Sequence, residues 1–149
     1  MTVEKLSVRI FFSIALAMGW TFESLDIKAA FLQLTNLDGV IYVKPPTPRD
    51  IRKSGIVWKL LKPLYGLNDA GRQWYFTVTD FLIHQMHCKQ GLLYKDVYRY
   101  YSADGKLLGI NIILIHVDDV LYAGNAKFKT TVSKELMKHF EISKTFTYI

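Results

Sequence analysis

Two adjacent carboxylates, Asp118 and Asp119, stand between two strongly apolar stretches of the chain, residues 110–117 and 120–123. Turns often contain aspartate, so turn chemistry is one explanation, but the Gly or Asn that usually accompanies such a turn is absent. Two like charges side by side at the end of a buried strand are unfavourable without a cation. Carboxylates suit hard divalent ions such as Mg²⁺. The pattern therefore favours a metal site over a simple turn.

A site for two metal ions requires a third carboxylate, and Asp26 is the best candidate. It lies near the end of a predicted central strand, far from Asp118 in sequence, so only the fold can bring the two together. In nucleotidyl transfer a 3′-hydroxyl attacks an α-phosphate and pyrophosphate leaves. Two hard cations about 4 Å apart suit this reaction, because they stabilise the attacking oxygen and the leaving oxygen. The protein then mainly positions the reactants and neutralises their charge.

The elements that must position these carboxylates follow from apolar periodicity and turn residues. Helices are predicted over residues 6–18, ended by Gly19, from a cap at Asn68 or Asp69 to about Met86, and over residues 126–140. Strands are predicted over residues 20–27, 40–43, 56–61, 92–101, 107–117 and 120–123. The alternation slips near Ser24, which indicates a bulge there.

The order of these elements predicts an α+β fold. The two short strands before residue 62 form a hairpin, and Asp104-Gly105 between two apolar runs indicates a second one. Residues 110–117 are almost continuously apolar, which is typical of a central strand. We therefore expect an antiparallel sheet with helices on one face.

Composition indicates one globular domain. The chain has 149 residues, of which 50% are hydrophobic and 21% charged. Its net charge of +6 indicates a polyanionic partner such as nucleic acid, although a solvated basic surface explains it equally well. The single cysteine, Cys88, excludes a disulfide framework and a cysteine-rich zinc site. The apolar stretch 10–18 is far shorter than the ~20 residues that span a bilayer, so we expect a buried helix and no membrane partner.

Residues 24–32 read S-L-D-I-K-A-A-F-L and resemble the first catalytic block of copia-type reverse transcriptases, whose usual form is D-V-K-T-A-F-L. Asp26 matches the metal-binding aspartate of that block. Phe31 matches the bulky residue that, in the family, lies under the sugar of the incoming nucleotide and rejects a 2′-hydroxyl. Packing in the core is the alternative role for Phe31.

Two further segments are similar to the same family. Residues 40–46 read V-I-Y-V-K-P-P, like the family's I-Y-M-x-Q-P. Residues 57–75 read V-W-K-L-L-K-P-L-Y-G-L-N-D-A-G-R-Q-W-Y, like V-C-K-L-x-K-S-L-Y-G-L-K-Q-A-P-R-Q-W-Y. In the family the Tyr-Gly segment borders the template and the incoming base. The resemblance therefore makes Tyr65, Gly66 and Arg72 candidate nucleotide contacts.

The fourth block covers residues 115–124, which read I-H-V-D-D-V-L-Y-A-G and resemble the family's Y-V-D-D block followed by M-L-I-A-G. Asp118 and Asp119 match its two aspartates. His116 stands where the family has a tyrosine close to the primer terminus. Four blocks in the family's order cover nearly the whole chain, from about residue 6 to residue 140.

The resemblance implies an RNA-directed DNA polymerase, or reverse transcriptase, with Asp26, Asp118 and Asp119 as catalytic ligands of two Mg²⁺ ions. Residues 1–149 are then expected to form a partial domain, the polymerase palm with part of the fingers, without the upstream fingers segment, the thumb and ribonuclease H. The implied partners are a primer–template of RNA or DNA, deoxynucleoside triphosphates and the remainder of the Pol polyprotein. Elements of this family replicate in cytoplasmic particles and integrate in the nucleus.

Two other functions stay open at this point. One is a degenerate, catalytically silent retrotransposon remnant that at most binds nucleic acid, as His116 and the missing parts of the domain suggest. The other is a small RNA-binding module whose sheet stacks bases on aromatic side chains. Its candidate residues are Tyr94, Tyr98, Tyr100 and Tyr101.

Overall fold

The computed structural model of the chain describes residues 4–34, 39–46, 55–67, 69–113 and 119–148. The helices are α1 (Lys5–Ala17), α2 (Ala30–Gln33), α3 (Ala70–Asp80) and α4 (Ala126–His139), and α3 continues into a π-helical turn, Phe81–Gln85. The strands are β1 (Phe22–Ile27), β2 (Tyr42–Val43), β3 (Trp58–Lys59), β4 (Lys89–Gln90), β5 (Val97–Tyr101), β6 (Leu107–Ile113), β7 (Asp119–Gly124) and β8 (Ile142–Tyr148). Within these ranges, no helix has both the length and the apolar character needed to span a membrane.

Six strands form one sheet in the order β4-β5-β6-β7-β1-β8, and every neighbouring pair is antiparallel. β2 and β3 form a separate antiparallel hairpin. The turn at Asp104-Gly105 joins β5 to β6, and Gly105 has a φ of +82°, which glycine adopts without strain. The predicted α+β fold, its antiparallel sheet and both hairpins are therefore confirmed.

Helices cover both faces of the six-stranded sheet. On one face, α2, α3 and α4 pack around an apolar cluster that contains Leu25 and Tyr122. On the other face, Phe11 of α1 packs with Ile110 and Leu121. The expectation of helices on one face only is therefore wrong. The central strands carry apolar side chains on both sides, so each side requires a covering element.

The largest error in the predicted boundaries lies before β5. Residues 92–96, predicted as part of a strand, form a turn, and the N–H of Gly91 donates across it to the carbonyl of Val97 at 2.8 Å. Leu92 and Leu93 are strongly exposed in this turn. Their apolar side chains match the pattern of a buried strand, and a sequence pattern does not show whether a core covers them.

The sequence pattern does not predict the edge strand β8. All of its residues after Ile142 are exposed, so its apolar pattern is weak. It pairs with β1, and the register shifts between Asp26 and Ile27, which places the irregularity there and not near Ser24 as expected. The pairing of β1 with β7 is regular.

The start of α3 lacks the predicted side-chain cap. Asp69 occupies the N-cap position, but its side chain makes no capping hydrogen bond and instead pairs with Arg72. The other candidate cap, Asn68, lies outside the described residues, as does the end of the predicted strand 107–117.

The tyrosines considered for RNA binding occupy packed positions. Tyr98 is fully buried, and its hydroxyl forms a 2.7 Å hydrogen bond with that of Thr79. Tyr100 packs against Phe128, with ring centroids 5.3 Å apart, and Tyr94 packs against the apolar cluster under α1. Stacking on bases requires exposed rings. The rings of Tyr94, Tyr98 and Tyr100 are therefore engaged in packing, which does not favour a stacking platform built on them.

Replacing Asn125 by alanine is expected to destabilise the chain by about 1 kcal/mol. Asn125 precedes α4, and its Oδ1 accepts a hydrogen bond from the backbone N–H of Phe128 at 2.8 Å. That bond satisfies one of the N–H groups that have no partner inside the helix. Urea-induced unfolding measures the change. Asn125→Asp keeps the acceptor oxygen and is the control, and equal losses from the two substitutions would contradict a capping role.

Candidate active site

The antiparallel pairing of β1 with β7 brings two of the three candidate carboxylates together. Asp26 and Asp119 are directly opposite each other in the register, and both are half-buried. Side chains of directly opposite residues lie on the same face of a sheet, with Cβ atoms about 4.5–5.5 Å apart. Asp118 and His116 lie outside the described residues. The structure thus places the aspartate of the first block beside that of the last.

Alternation along β1 decides which face of the sheet carries Asp26. Leu25 and Ile27 are fully buried in the cluster beneath α2, α3 and α4. Asp26 lies between them, so its side chain is on the opposite face. On that face Phe22, at the start of β1, packs against Phe12 of α1, with ring centroids 5.0 Å apart. Asp26 lies toward the other end of the strand from this contact.

Two carboxylates directly opposite in a ladder are unfavourable without a cation. Like charges at opposed positions destabilise a pair of strands, and partial burial strengthens their repulsion. Within the ranges that the structure describes, no three metal-ligating side chains come together, and Asp118 is not in those ranges. Carboxylate oxygens are the donors that Mg²⁺ and Mn²⁺ prefer. The two residues present therefore fit a divalent ion of this kind.

A β-bulge on β8 brings a hydroxyl group to Asp26. The register pairs Asp26 with Lys144 and Ile27 with Ile142, which leaves Ser143 without an opposite residue. The Oγ of Ser143 donates a hydrogen bond to Oδ2 of Asp26 and lies 3.3 Å from the backbone carbonyl oxygen of the same residue. The candidate carboxylate is therefore contacted from β8 while it is paired with β7.

The turn that follows β1 is held by α2 and by the residue before β8. The N–H of Lys28 donates to the carbonyl of Glu141 at 2.9 Å, and the two side chains form an ion pair. The amide of Gln33 donates to the carbonyl of Lys28 at 2.6 Å and accepts from the N–H of Glu141 at 2.8 Å. No sequence pattern indicates Gln33 and Glu141, because 108 residues separate them and neither belongs to a recognised block.

Two of the candidate nucleotide contacts form a ring pair. Phe31 of α2 and Tyr65 have ring centroids 4.5 Å apart and planes tilted by 51°. Phe31 is half-buried against the core, whereas Tyr65 is 57% exposed. Gly66 follows with a φ of +90° and open space where a side chain would begin. Lys62 Nζ donates to the carbonyl of Leu32 at 2.8 Å, which links this loop to α2.

Arg72, the remaining candidate contact, lies near the start of α3 and is exposed. Its Nη2 atom is 3.2 Å from Oδ1 of Asp69 in an exposed pair on the same helix. Exposed ion pairs contribute only about 0–1 kcal/mol. Asp69 is therefore a weak competitor for the guanidinium if an anionic ligand approaches.

Two glycines allow α4 to approach the strand that carries Asp119. Gly109 of β6 and Gly124 of β7 are directly opposite each other, and the ring of Phe128 lies against both. A Cβ atom would lie 2.0 Å from that ring at position 109 and 2.3 Å from it at position 124. Neither position therefore has room for a side chain while Phe128 keeps its place.

A buried hydroxyl joins β7 to β1 on the face of the sheet opposite to the carboxylate pair. Tyr122 is fully buried, and its hydroxyl donates to Oε2 of Glu23 at 2.7 Å. Burial, aided by the Glu23 carboxylate, raises the pKa of Tyr122 well above its ordinary value, so the hydroxyl stays protonated. Lys129 of α4 reaches Oε1 of Glu23 at 3.0 Å. This network holds the two strands in register and joins them to α4.

Residues 2–148 match the family described as reverse transcriptase (RNA-dependent DNA polymerase), and the chain belongs to that family. Members of the family use divalent metal ions, in agreement with the carboxylate pair. The chain is 36% identical over 138 residues to the retrovirus-related Pol polyprotein from transposon TNT 1-94 of Nicotiana tabacum, an alignment that covers 89% of this chain and 10% of the polyprotein.

Two further relatives come from a plant and a yeast. The chain is 33% identical over 123 residues to the retrovirus-related Pol polyprotein from transposon RE1 of Arabidopsis thaliana, covering 83% of this chain and 8% of the polyprotein. It is 28% identical over 138 residues to the transposon Ty1-NL2 Gag-Pol polyprotein of Saccharomyces cerevisiae, an alignment that covers 90% of this chain and 7% of the polyprotein. No solved structure matches the chain. The resemblance to copia-type reverse transcriptases is thus confirmed, and the chain spans a tenth or less of these relatives.

Proposed function

We propose that this chain forms the palm and part of the fingers of an RNA-directed DNA polymerase, and that Asp26, Asp118 and Asp119 bind two Mg²⁺ ions. The observation that carries the proposal is the direct opposition of Asp26 and Asp119 on one face of the sheet. Membership of the reverse transcriptase family supports it. The chain position of Asp118, next to Asp119, supports its part in the same site.

In this proposal the carboxylates hold the two metal ions and set their positions. When bound, the two ions supply positive charge to the attacking 3′-hydroxyl and to the leaving pyrophosphate. The regular pairing of β1 with β7 sets the position of Asp26 relative to Asp119 through backbone hydrogen bonds and not through a loop. Such rigidity suits a reaction that the protein promotes chiefly by positioning and neutralising charge.

The ring pair of Phe31 and Tyr65 is the proposed contact surface for the incoming deoxynucleoside triphosphate. α2, which carries Phe31, follows β1 through one short turn, so the ring is anchored to the strand that carries Asp26. Gly66 would let a base approach the backbone, and the exposed guanidinium of Arg72 would attract phosphate. His116 is proposed to lie beside the primer terminus.

A primer–template of RNA or DNA is the proposed macromolecular ligand. Tyr42 and Trp58 of the hairpin formed by β2 and β3 are more than half exposed, and Lys59 is directly opposite Tyr42. Exposed rings and cations suit bases and phosphates respectively. Because the relatives are Pol polyproteins, the remainder of such a polyprotein is the proposed covalent partner.

Phe31→Ala is expected to raise ribonucleotide incorporation, relative to deoxynucleotide incorporation, by at least about tenfold, a typical effect of reshaping a pocket wall. A smaller side chain would leave room for the 2′-hydroxyl that the ring excludes. The measurement is the ratio of kcat/KM values for the two nucleotides in primer extension. Phe31→Tyr keeps the ring and should keep the ratio. An unchanged ratio in Phe31→Ala would leave core packing as the only role of this residue.

Primer extension also tests the function as a whole. A Pol polyprotein that carries this segment should extend a DNA primer on an RNA template, and the same protein with Asp118→Asn should not. Equal extension by both would refute the proposal. Deoxynucleotide incorporation by the 149-residue chain itself would exclude a catalytically silent remnant.

A further inference from the structure

We propose that Ser143 is a positioning residue for the Asp26 carboxylate and that its hydroxyl thereby sets the metal affinity of the site. This inference rests on the proposed function, because it concerns one ligand of the proposed Mg²⁺ site. Ser143 belongs to no recognised sequence block. Its contact with Asp26 is created by the pairing of β8 with β1, across 117 residues of sequence.

The backbone irregularity at Ser143 explains why its side chain reaches Asp26. In a regular ladder, consecutive side chains alternate between the two faces of the sheet. Here Ile142 is opposite Ile27 and Lys144 is opposite Asp26, so Ser143 is the extra residue of a bulge. A bulge re-aims a side chain, and bulges are frequent beside active sites. The result is a hydroxyl that donates to Oδ2 of Asp26.

The bulge itself is held in place from the side of Glu141. That residue bonds through its backbone to Lys28 and to the amide of Gln33. Ser143 therefore lies two residues after a backbone position that hydrogen bonds hold in place, and its hydroxyl approaches Asp26 from a defined direction. A hydroxyl held in this way restricts the carboxylate to one orientation before a metal ion binds.

The contact leaves the carboxylate able to bind a cation. Each carboxylate oxygen has two acceptor positions, so Oδ2 can accept the hydroxyl and still face a metal ion. The hydroxyl is neutral and does not cancel the negative charge. Lys144, although opposite Asp26, forms no ion pair with it among the contacts of the described ranges. Outer partners that orient a metal ligand typically raise metal affinity 10–100-fold.

Titration with Mn²⁺, followed by the electron paramagnetic resonance signal of the free ion, tests this role on the 149-residue chain. Ser143→Ala is expected to weaken binding by about tenfold at an unchanged melting temperature. Ser143→Thr keeps a hydroxyl and should restore the affinity. The matched control is Thr145→Ala, which removes a hydroxyl from the same strand. Thr145 is opposite Leu25, on the face away from Asp26, so its loss should leave binding unchanged.

Asp26→Asn separates failure of this inference from failure of the proposed site. Loss of Mn²⁺ binding in Asp26→Asn together with full binding in Ser143→Ala would overturn the role of Ser143 and leave the metal site intact. Equal weakening by Ser143→Ala and Ser143→Thr would also overturn it, because the hydroxyl would then not be the cause. Binding that Asp26→Asn leaves unaffected, or no binding by the unaltered chain, would overturn the site and the Ser143 inference together.

Discussion

Replacing Asp26 or Asp119 by asparagine is expected to lower primer extension by roughly a thousandfold. Asparagine keeps the shape of the side chain and removes the charge that is proposed to hold a divalent ion. A metal ion contributes several kcal/mol to stabilising the transition state, and about 1.4 kcal/mol corresponds to a factor of ten in rate. The measurement is the rate of single-nucleotide incorporation by a Pol polyprotein that carries this segment, with each substitution made separately.

Asp26→Asn should leave folding intact. Asp26 is directly opposite Asp119 on one side and Lys144 on the other, so removing its charge relieves a repulsion and loses an attraction of similar size. The melting temperature should therefore change little while activity falls. Asp80→Asn changes an exposed carboxylate on α3 and should affect neither quantity. A parallel loss of activity and stability in the Asp26 variant would contradict a catalytic role.

Gly109→Ala is expected to destabilise the chain by about 1–3 kcal/mol, the usual cost of adding volume to a packed core. The added Cβ atom would lie 2.0 Å from the ring of Phe128, so either the ring or the backbone of β6 must move. Gly124→Ala meets the same ring, and also the carbonyl oxygen of Leu108 at 2.6 Å. Thermal or urea-induced unfolding measures both variants.

A third glycine provides the control for this prediction. Gly71, in α3, has open space where a Cβ atom would be placed, and Gly71→Ala should be neutral or stabilising by up to about 1 kcal/mol. Combining Gly109→Ala with Phe128→Leu should recover part of the loss, because contacting residues couple. The packing explanation would fail if Gly71→Ala and Gly109→Ala had equal effects, or if the second substitution recovered nothing.

The sequence predicted most of the fold because most elements have strong local signals. Phe128, Val132 and Leu136 recur at helical spacing along α4, and Asp104-Gly105 marks the turn between β5 and β6. The elements that it did not predict lack such signals. β8 is exposed along nearly its whole length. The position of α1 on the second face depends on how the strands alternate once they are paired, and not on any local pattern.

The candidate site divides in the same way. The apolar stretches around Asp119, the predicted strand that carries Asp26 and the family blocks all indicate these two residues, but only the register of β1 with β7 shows that they are opposite each other. Ser143 could not have been found from the sequence, because a bulge is a property of two paired strands. Asp118 and His116 lie outside the described residues, so their roles stay predictions.

The alternation along β1 divides substitutions in this strand into two classes, those that affect the packed interior and those that affect the opposite surface. Leu25 and Ile27 belong to the packed interior, so polar replacements there would strongly destabilise the fold. Asp26, between them, belongs to the other surface and takes no part in that interior. A copy of this segment that has lost Asp26 can therefore still produce a well-folded polypeptide. Under the proposed function, such a copy would lose its metal site and keep its architecture.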